Sequence, residues 1–406
     1  VAALALALSV AAEPVAGGPL PRVSLHRVDC FIWAPLASLE GRFEKDTRRG
    51  PPAEVAGGLP ADFAAAFERA GIKPQQISIW FGEADSADAR FHWLPETPRN
   101  PASVLKIVTT AQALEQLGPG YRWTTRAWLR GELARETLTG DLVIEGGGDP
   151  RLRREELRTL LEQVRATGVR HIRGDIVVDR DAFALPAHDP GAFDGQPRRA
   201  YNVGADALLL NFAAQSVNVR PDPAGVTVQA WLEPAIDGVT LDKQLRLTDG
   251  DCGDWRLRPL MQIVGDTPPV RVQLAGEMPA ACDGASIDIA PLAGPEYARR
   301  LLRQTWQEVG GSLSGSVVDG HGSYGMRLVG EVRSVPLADL VRDINRFSNN
   351  VMAEHVWLTA GAQAAGWPAT REKAITATQA WLGGAQDAPL IDSGSGLSRR
   401  TRISAE

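Results

Sequence analysis

The sequence predicts a mixed helix-and-sheet fold of the α/β (α+β) type, in which strand-rich modules interrupt a larger domain. Two strands that lead into a buried helix predict the first part of that domain, and helical periodicity that returns from Glu296 predicts its second part. Between them lie strand candidates separated by many Pro and Gly residues. We therefore expect one domain formed by residues 59–127 and 285–406, with residues 128–284 inserted as one or two accessory modules.

Apolar periodicity and alternation predict the individual elements. At the start of the domain, a helix is expected over Leu59–Ala70 and two strands over Ile77–Glu83 and Ala89–Leu94, joined by a turn at residues 85–88. Apart from the helix discussed next, the remaining predicted elements are strands Asp141–Glu145, His171–Asp179, Asp206–Val219, Val226–Leu232, Val270–Leu274 and Met326–Val332, and helices Arg154–Thr167, Glu296–Val309, Val335–Phe347 and Val351–Ala362.

The predicted helix Asn100–Gly118 carries the candidate chemistry. Asn100 is a good capping residue, Pro101 suits the first helical position, and Gly118 is a typical terminator. Apolar side chains cover most of its circumference, so we expect the helix to be buried. Ser103 and Lys106 interrupt that apolar surface, and their i, i+3 spacing places them side by side on one face.

A serine beside a buried lysine is a candidate nucleophile and base. Burial lowers the pKa of a lysine, and a neutral Lys106 can take the proton of the Ser103 hydroxyl. The first turn of the helix also favours negative charge developing at Ser103. The alternative is a serine near a helix start and a lysine whose ammonium reaches solvent.

Composition excludes several other classes of function. The 406 residues are 44% hydrophobic and 23% charged, as in an ordinary globular protein, and the net charge of −6 argues against a nucleic-acid partner. The six histidines and three cysteines show no metal-binding spacing, so we expect neither a metal nor another cofactor.

The N-terminus and the cysteines indicate export. Val1–Ala12 resembles the apolar core and cleavage site of a secretory signal without its basic start, and residues 13–58 read as a poorly ordered lead-in. We expect a periplasmic protein in which Cys252 and Cys282 close a disulfide loop, which stabilises the fold by about 3–4 kcal/mol. Cys30 is left over.

A second motif, Ser348-x-Asn350, lies at a junction between two predicted helices. Alone it indicates no more than a helix cap, but penicillin-binding proteins and serine β-lactamases combine S-x-x-K, S-x-N and K-T-G boxes around one acylation site. Four runs in this order resemble the D-alanyl-D-alanine carboxypeptidase/endopeptidase family, the low-molecular-mass class C penicillin-binding proteins. They are Asn100–Lys106, Gly146–Pro150, Phe347–Glu354 and Gly394–Arg399.

The resemblance implies a transpeptidase-like domain, interrupted by accessory modules, that cleaves D-Ala–D-Ala or cross-links in peptidoglycan and binds β-lactams. It implies that Ser103 is the nucleophile, Lys106 its proton acceptor, Ser348 a proton relay to the leaving group and Asn350 a ligand of the substrate amide. The Ser103 N–H then supplies half of an oxyanion hole. No Lys-Thr-Gly or Lys-Ser-Gly follows Ser348, so we expect the C-terminal part that carries this box to be missing from the sequence.

Two other functions remain open. A catalytically impaired, penicillin-binding-like protein that binds or scaffolds the cell wall fits the same motifs. A β-lactamase requires a positioned base for deacylation, and Glu354 is the acid nearest to Asn350 along the chain, with no sign that it reaches the acyl carbon.

Overall fold

The computed structural model describes residues 59–82, 89–222, 227–252, 255, 260–322, 325–383 and 389–405. The expected signal segment, the lead-in, the turn at residues 85–88 and Cys30 lie outside these residues. The predicted combination of helices and sheets is confirmed. Among the described helices, none is both long and apolar enough to span a bilayer.

The bounds of the helices and strands are as follows. The α-helices are α1 (Ala61–Arg69), α2 (Leu105–Leu117), α3 (Arg154–Ala166), α4 (Gly294–Glu308), α5 (Leu337–Phe347), α6 (Asn350–Ala365) and α7 (Arg371–Trp381). The strands are β1 (Ile79–Gly82), β2 (Ala89–Trp93), β3 (Thr124–Ala134), β4 (Thr137–Glu145), β5 (His171–Ile172), β6 (Ile176–Asp179), β7 (Gln215–Pro221), β8 (Val228–Glu233), β9 (Val239–Thr248), β10 (Leu260–Val264), β11 (Val270–Pro279), β12 (Ala285–Ile289), β13 (Ser312–Leu313), β14 (Val317–Gly320) and β15 (Arg327–Arg333).

The described residues divide into two compact units, residues 59–101 with 402–405, and residues 102–401. In the described part of the first unit, α1 packs through Phe67 on the antiparallel pair β1–β2. Arg99 is buried there, and its guanidinium donates to Ser78 Oγ and to the carbonyls of Gln75 and Ile77. The expected division into residues 59–127, 128–284 and 285–406 stays a prediction.

The second unit contains a seven-stranded sheet. Its main path runs β13-β5-β4-β3-β15, with β6 beside β4 and β14 beside β6. The strands β3, β4 and β15 pair antiparallel, whereas β4–β6 and β6–β14 are parallel. Helices α3 and α4 cover the sheet, because the apolar stripe of each (Leu157, Leu160, Leu161 and Val164 in α3, and Tyr297, Leu301, Leu302 and Trp306 in α4) is buried in its core.

Two three-stranded sheets belong to the same unit. One has the order β12-β7-β8 and is antiparallel, and the other has the order β10-β11-β9, in which β9 and β11 are parallel. Cys252 and Cys282 are joined by a disulfide with a Cα–Cα distance of 5.4 Å. Cys282 itself is buried in the main core.

Helices α2, α5, α6 and α7 pack together and carry the candidate site. Helix α6 is buried from Val351 to Ala362, which its almost uniformly apolar sequence requires. Its polar side chains find partners, since Thr359 Oγ1 accepts from Trp123 Nε1 at 2.9 Å and the Trp357 indole donates to Thr378 Oγ1 at 2.8 Å.

Several elements differ from the sequence-based expectations. The strand predicted over Asp206–Val219 begins only at Gln215, because Asn211 enters a 3-10 turn in which its N–H donates to the Leu152 carbonyl and its side chain to the Tyr297 hydroxyl. Strands β3, β9, β10, β12, β13 and β14 and helix α7 were not predicted. The α-helix predicted from Asn100 begins at Leu105, because Ala102 has a left-handed φ of 46° and residues 102–104 form a 3-10 turn.

Candidate functional site

The site is built on the first turn of α2. Ser103 is exposed in the 3-10 turn Ala102–Val104, whereas Lys106, one turn later, is only 2% exposed. The Lys106 Nζ lies 3.1 Å from the Ser103 Oγ. The pair that the i, i+3 spacing predicts is therefore in hydrogen-bonding contact, and the lysine does not reach solvent. The α-helix begins at Leu105, so the prediction that Pro101 is its first residue is wrong.

Lys106 has three hydrogen-bonding partners. Besides Ser103, its Nζ donates to Asn350 Oδ1 at 2.7 Å and to the Ser395 carbonyl oxygen at 2.8 Å. The last two are pure acceptors, whereas the hydroxyl can also donate. A neutral lysine keeps two N–H bonds and turns its lone pair to the third partner. The geometry therefore points the lone pair of neutral Lys106 at the Ser103 hydroxyl.

The electrostatic surroundings favour that neutral form. Burial lowers the pKa of Lys106 from 10.5 to about 8, although the Glu354 carboxylate opposes part of this shift. A base with a pKa near the working pH is well suited to proton transfer.

The junction between α5 and α6 places Asn350 beside Lys106. Ser348 ends α5 with a left-handed φ of 54°, and the Asn349 side chain caps α6 by accepting from the Met352 N–H. Asn350 is the first residue of α6, and its Nδ2 donates to the Tyr201 carbonyl at 3.1 Å. Within the described residues, Ser348 is half-buried and makes no side-chain hydrogen bond to the pair.

The third partner comes from the run Gly394–Arg399, which carries part of the family resemblance but to whose residues the sequence analysis gave no role. Residues 393–396 carry the Ser395 carbonyl, and Thr109 on α2 donates to the Gly394 carbonyl at 2.7 Å. A Cβ at Gly396, where φ is +79°, would lie 1.8 Å from the Ala102 carbonyl oxygen. A Cβ at Gly394 would lie 2.3 Å from the Trp357 Cβ. In the sequence, the two glycines that flank Ser395 are the feature that could have indicated this close approach of the segment to α2 and α6.

Glu354 lies one helical turn after Asn350 and is buried. Its Oε2 accepts from the Gly394 N–H at 2.9 Å and from Ser393 Oγ at 3.2 Å. Its Oε1 forms an ion pair with Arg371 of α7 at 3.3 Å. Within the described residues, the carboxylate therefore holds the 393–396 segment rather than contacting Ser103.

The glycine turn Gly146–Pro150 packs against α6 through a buried histidine. His355 Nδ1 lies 3.0 Å from the Gly148 carbonyl oxygen, and its Nε2 accepts from the Asp206 N–H at 3.3 Å. Burial lowers the pKa of His355 to about 4, so the imidazole is neutral, with its proton on Nδ1. The turn supports the site structurally.

A cavity of about 540 Å³ opens beside these residues. Asn350 and Ser395, both of which bind Lys106, lie in its wall, together with Glu354, Tyr201 and Arg399. Its volume falls in the range typical of small-ligand sites. Among the described residues, no cluster of three or more His, Cys, Asp or Glu side chains is arranged to hold a metal ion.

Comparison with known proteins identifies the family. The sequence model of the D-Ala-D-Ala carboxypeptidase 3 (S13) family matches residues 61–406. The chain belongs to this family. Among its relatives, a D-alanyl-D-alanine carboxypeptidase of an Actinomadura species is 27% identical over 328 residues, and the match covers 75% of this chain and 58% of the relative.

A second relative comes from Haemophilus influenzae. This D-alanyl-D-alanine carboxypeptidase DacB is 24% identical over 315 residues, which cover 74% of this chain and 63% of the relative. A crystal structure of penicillin binding protein 4 (dacB) from the same organism matches with a TM-score of 0.63 and 21% identity, covering 77% of this chain and 69% of that one. Its complex with a β-lactam matches with a TM-score of 0.57. The likeness establishes the fold, and the chain spans about three fifths of both relatives.

Proposed function

We propose that this protein is a serine-type D-Ala-D-Ala carboxypeptidase or endopeptidase that acts on peptidoglycan through an acyl-enzyme on Ser103. One observation carries the proposal: the Nζ of buried Lys106 lies between the Ser103 hydroxyl and the two acceptors Asn350 Oδ1 and Ser395 O. In this arrangement the Lys106 amine is positioned to act as a base for the Ser103 hydroxyl. The family supplies the substrate class, since the two relatives are D-alanyl-D-alanine carboxypeptidases.

In the proposed reaction, neutral Lys106 takes the Ser103 proton as Ser103 Oγ bonds to the carbonyl carbon of the penultimate D-Ala. The Ser103 N–H is a donor for the resulting oxyanion. The C–N bond then breaks, and the Lys106 proton passes through the Ser348 hydroxyl to the leaving amine. Water releases the acyl group with Lys106 again as base. A β-lactam acylates Ser103 in the same way but keeps its amine attached.

Asn350 is the proposed ligand of the substrate amide. Its Oδ1 is occupied by Lys106, and one of the two Nδ2 hydrogens is directed to the Tyr201 carbonyl. An amide nitrogen carries two hydrogens, so the second is available for a substrate carbonyl. Because Asn350 also lines the cavity, a peptide bound there would meet this donor.

We further propose that the protein works outside the cytoplasm, in the periplasm. The disulfide Cys252–Cys282 is typical of an oxidising compartment, and peptidoglycan stem peptides and cross-links are found there. The apolar run Val1–Ala12 is consistent with export.

Covalent labelling tests the proposal. A fluorescent penicillin should label the natural full-length protein, and the Ser103→Ala variant should not be labelled. Ser314→Ala, which changes an exposed serine on the connection between β13 and β14, is the matched control and should be labelled normally. Release of D-Ala from a pentapeptide and cleavage of a cross-linked dimer distinguish carboxypeptidase from endopeptidase action. Undiminished labelling of Ser103→Ala would overturn the assignment, and absence of all three activities would favour a wall-binding protein.

A further inference from the structure

We propose that Glu354 is a positioning residue for the Lys106 base: it holds the 393–396 segment that binds Lys106 and places a negative charge against that segment. The inference rests on the proposed function, because it assigns a role within the same site. It concerns a carboxylate that has no part in the reaction steps above.

The first step of the argument is a chain of hydrogen bonds. Glu354 Oε2 accepts from the Gly394 N–H and from the Ser393 hydroxyl. Ser393 Oγ in turn accepts from the Ser395 N–H at 3.1 Å and lies 2.9 Å from Ser395 Oγ. The Ser395 carbonyl then accepts from Lys106. Glu354 therefore fixes, through two successive hydrogen bonds, the Ser395 carbonyl oxygen that accepts one of the hydrogen bonds of Lys106.

The second step concerns the charge state of Glu354. The groups around its oxygens are an N–H, a hydroxyl and the Arg371 guanidinium, all of which can donate to a carboxylate. Its Oε1 is buried and, among the described residues, has no hydrogen-bonding partner, and its charged neighbour is the Arg371 guanidinium at 3.3 Å. Burial raises the pKa of Glu354, while Arg371 and the Gly394 N–H oppose the shift. The two donors on Oε2 and the positive charge of Arg371 beside Oε1 favour the ionised form and act against the effect of burial.

The third step is the effect on Lys106. The partners that face its Nζ from α6 and from the 393–396 segment are Asn350 Oδ1 and the Ser395 carbonyl, both neutral. Glu354 is the charged group whose interaction with Lys106 opposes the lowering of its pKa by burial. The two arginines beside Glu354 and Asp392 are each paired with a carboxylate, Arg371 with Glu354 and Arg400 with Asp392. Glu354 therefore acts on Lys106 in two ways, through the hydrogen-bonded 393–396 segment and through its charge, and substitutions can separate the two.

Two substitutions separate these roles. Glu354→Gln keeps an acceptor for the Gly394 N–H but removes the charge, so the pKa of Lys106 should fall. Acylation by penicillin should then reach half its maximum at a lower pH, with a maximal rate within about threefold of the native rate. Glu354→Ala also releases the 393–396 segment, so the maximal rate should fall by about 100-fold.

Ser393→Ala breaks the link without changing the charge. It should lower the maximal rate by roughly tenfold and leave the pH of half-maximal acylation unchanged. Glu372→Gln, which changes an exposed carboxylate beside Arg371, is the matched control and should behave as the native protein. A merely structural role would lower the rate at every pH and shift no midpoint.

The experiment measures the rate of penicillin acylation between pH 6 and about 9.5, and the titration of Lys106 by NMR of 13Cε-labelled lysine, assigned with Lys106→Arg. The inference is supported if Glu354→Gln moves both midpoints to lower pH. It is overturned if neither midpoint moves, or if both move upward, while the native protein is acylated normally. If the native protein is not acylated but the NMR midpoint still shifts, the proposed function fails and the effect of Glu354 on Lys106 stands.

Discussion

The pH dependence of Ser103 acylation follows directly from the burial of Lys106. An ordinary lysine, with a pKa of 10.5, is neutral in only about 3 molecules of 10,000 at pH 7. Lys106, with a pKa lowered to about 8, is neutral in roughly one molecule of ten at the same pH. Burial therefore increases the amount of free base about 300-fold. The rate of acylation should rise nearly tenfold per pH unit below about pH 7 and reach half its maximum near pH 8.

The assay is the second-order rate of labelling by a fluorescent penicillin across this pH range. Lys106→Ala should lower the rate by a factor of roughly 100 to 10,000 and abolish the rise with pH. Lys243→Met, which removes an exposed lysine on β9, should leave both the rate and its pH dependence unchanged. A rate that is flat between pH 6 and about 9, or one that reaches half its maximum near 10.5, would show that Lys106 is not the base.

Three further predictions concern stability and support of the site. Gly396→Ala places a Cβ against the Ala102 carbonyl at a left-handed φ, and should cost about 1–3 kcal/mol and slow labelling at least about tenfold, measured by urea unfolding and penicillin acylation. His355 stays neutral in the folded protein down to about pH 4, whereas it titrates near 6.5 when unfolded. The unfolded state therefore binds more protons in this window, so roughly 3 kcal/mol of stability should be lost as the pH falls from 6.5 to 4; this loss should be absent in His355→Gln when urea unfolding is compared across that range. Replacing Cys252 and Cys282 by alanine should lower the free energy of unfolding by about 3–4 kcal/mol, since their disulfide closes a loop with a sequence separation of 30; reduction that leaves the unfolding midpoint unchanged would contradict this.

Local sequence predicted the elements whose pattern is strong. Helices α3, α4 and α5 lie within two residues of their expected ends, because each has one apolar stripe and a polar opposite face. Strand β3 was not predicted, and in the structure it pairs on both sides, with β4 and with β15. Only that pairing, with Glu145 and Glu331 beside Arg126, explains its place in the sheet.

The start of α2 shows where tertiary contacts override local preference. Asn100 and Pro101 are good residues for a helix start, yet the α-helix begins at Leu105. The left-handed Ala102 brings its carbonyl oxygen close to the backbone of Gly396, which lies almost 300 positions later in the chain. Such a contact depends on how distant segments pack, and residues 100–118 contain no information about it.

The sequence by itself determined the reactive pair, because a spacing of three residues on a helix brings Ser103 and Lys106 together whatever surrounds them. It also identified Ser348 and Asn350 through their resemblance to a motif. The tertiary structure alone decided that Lys106 is buried, that its other acceptors are Asn350 Oδ1 and the Ser395 carbonyl, and that Glu354 holds the segment that carries this carbonyl. These acceptors lie 244 and 289 positions from Lys106, and such distant groups meet only when the packing of α2 against α6 offsets the entropy of closing the intervening chain.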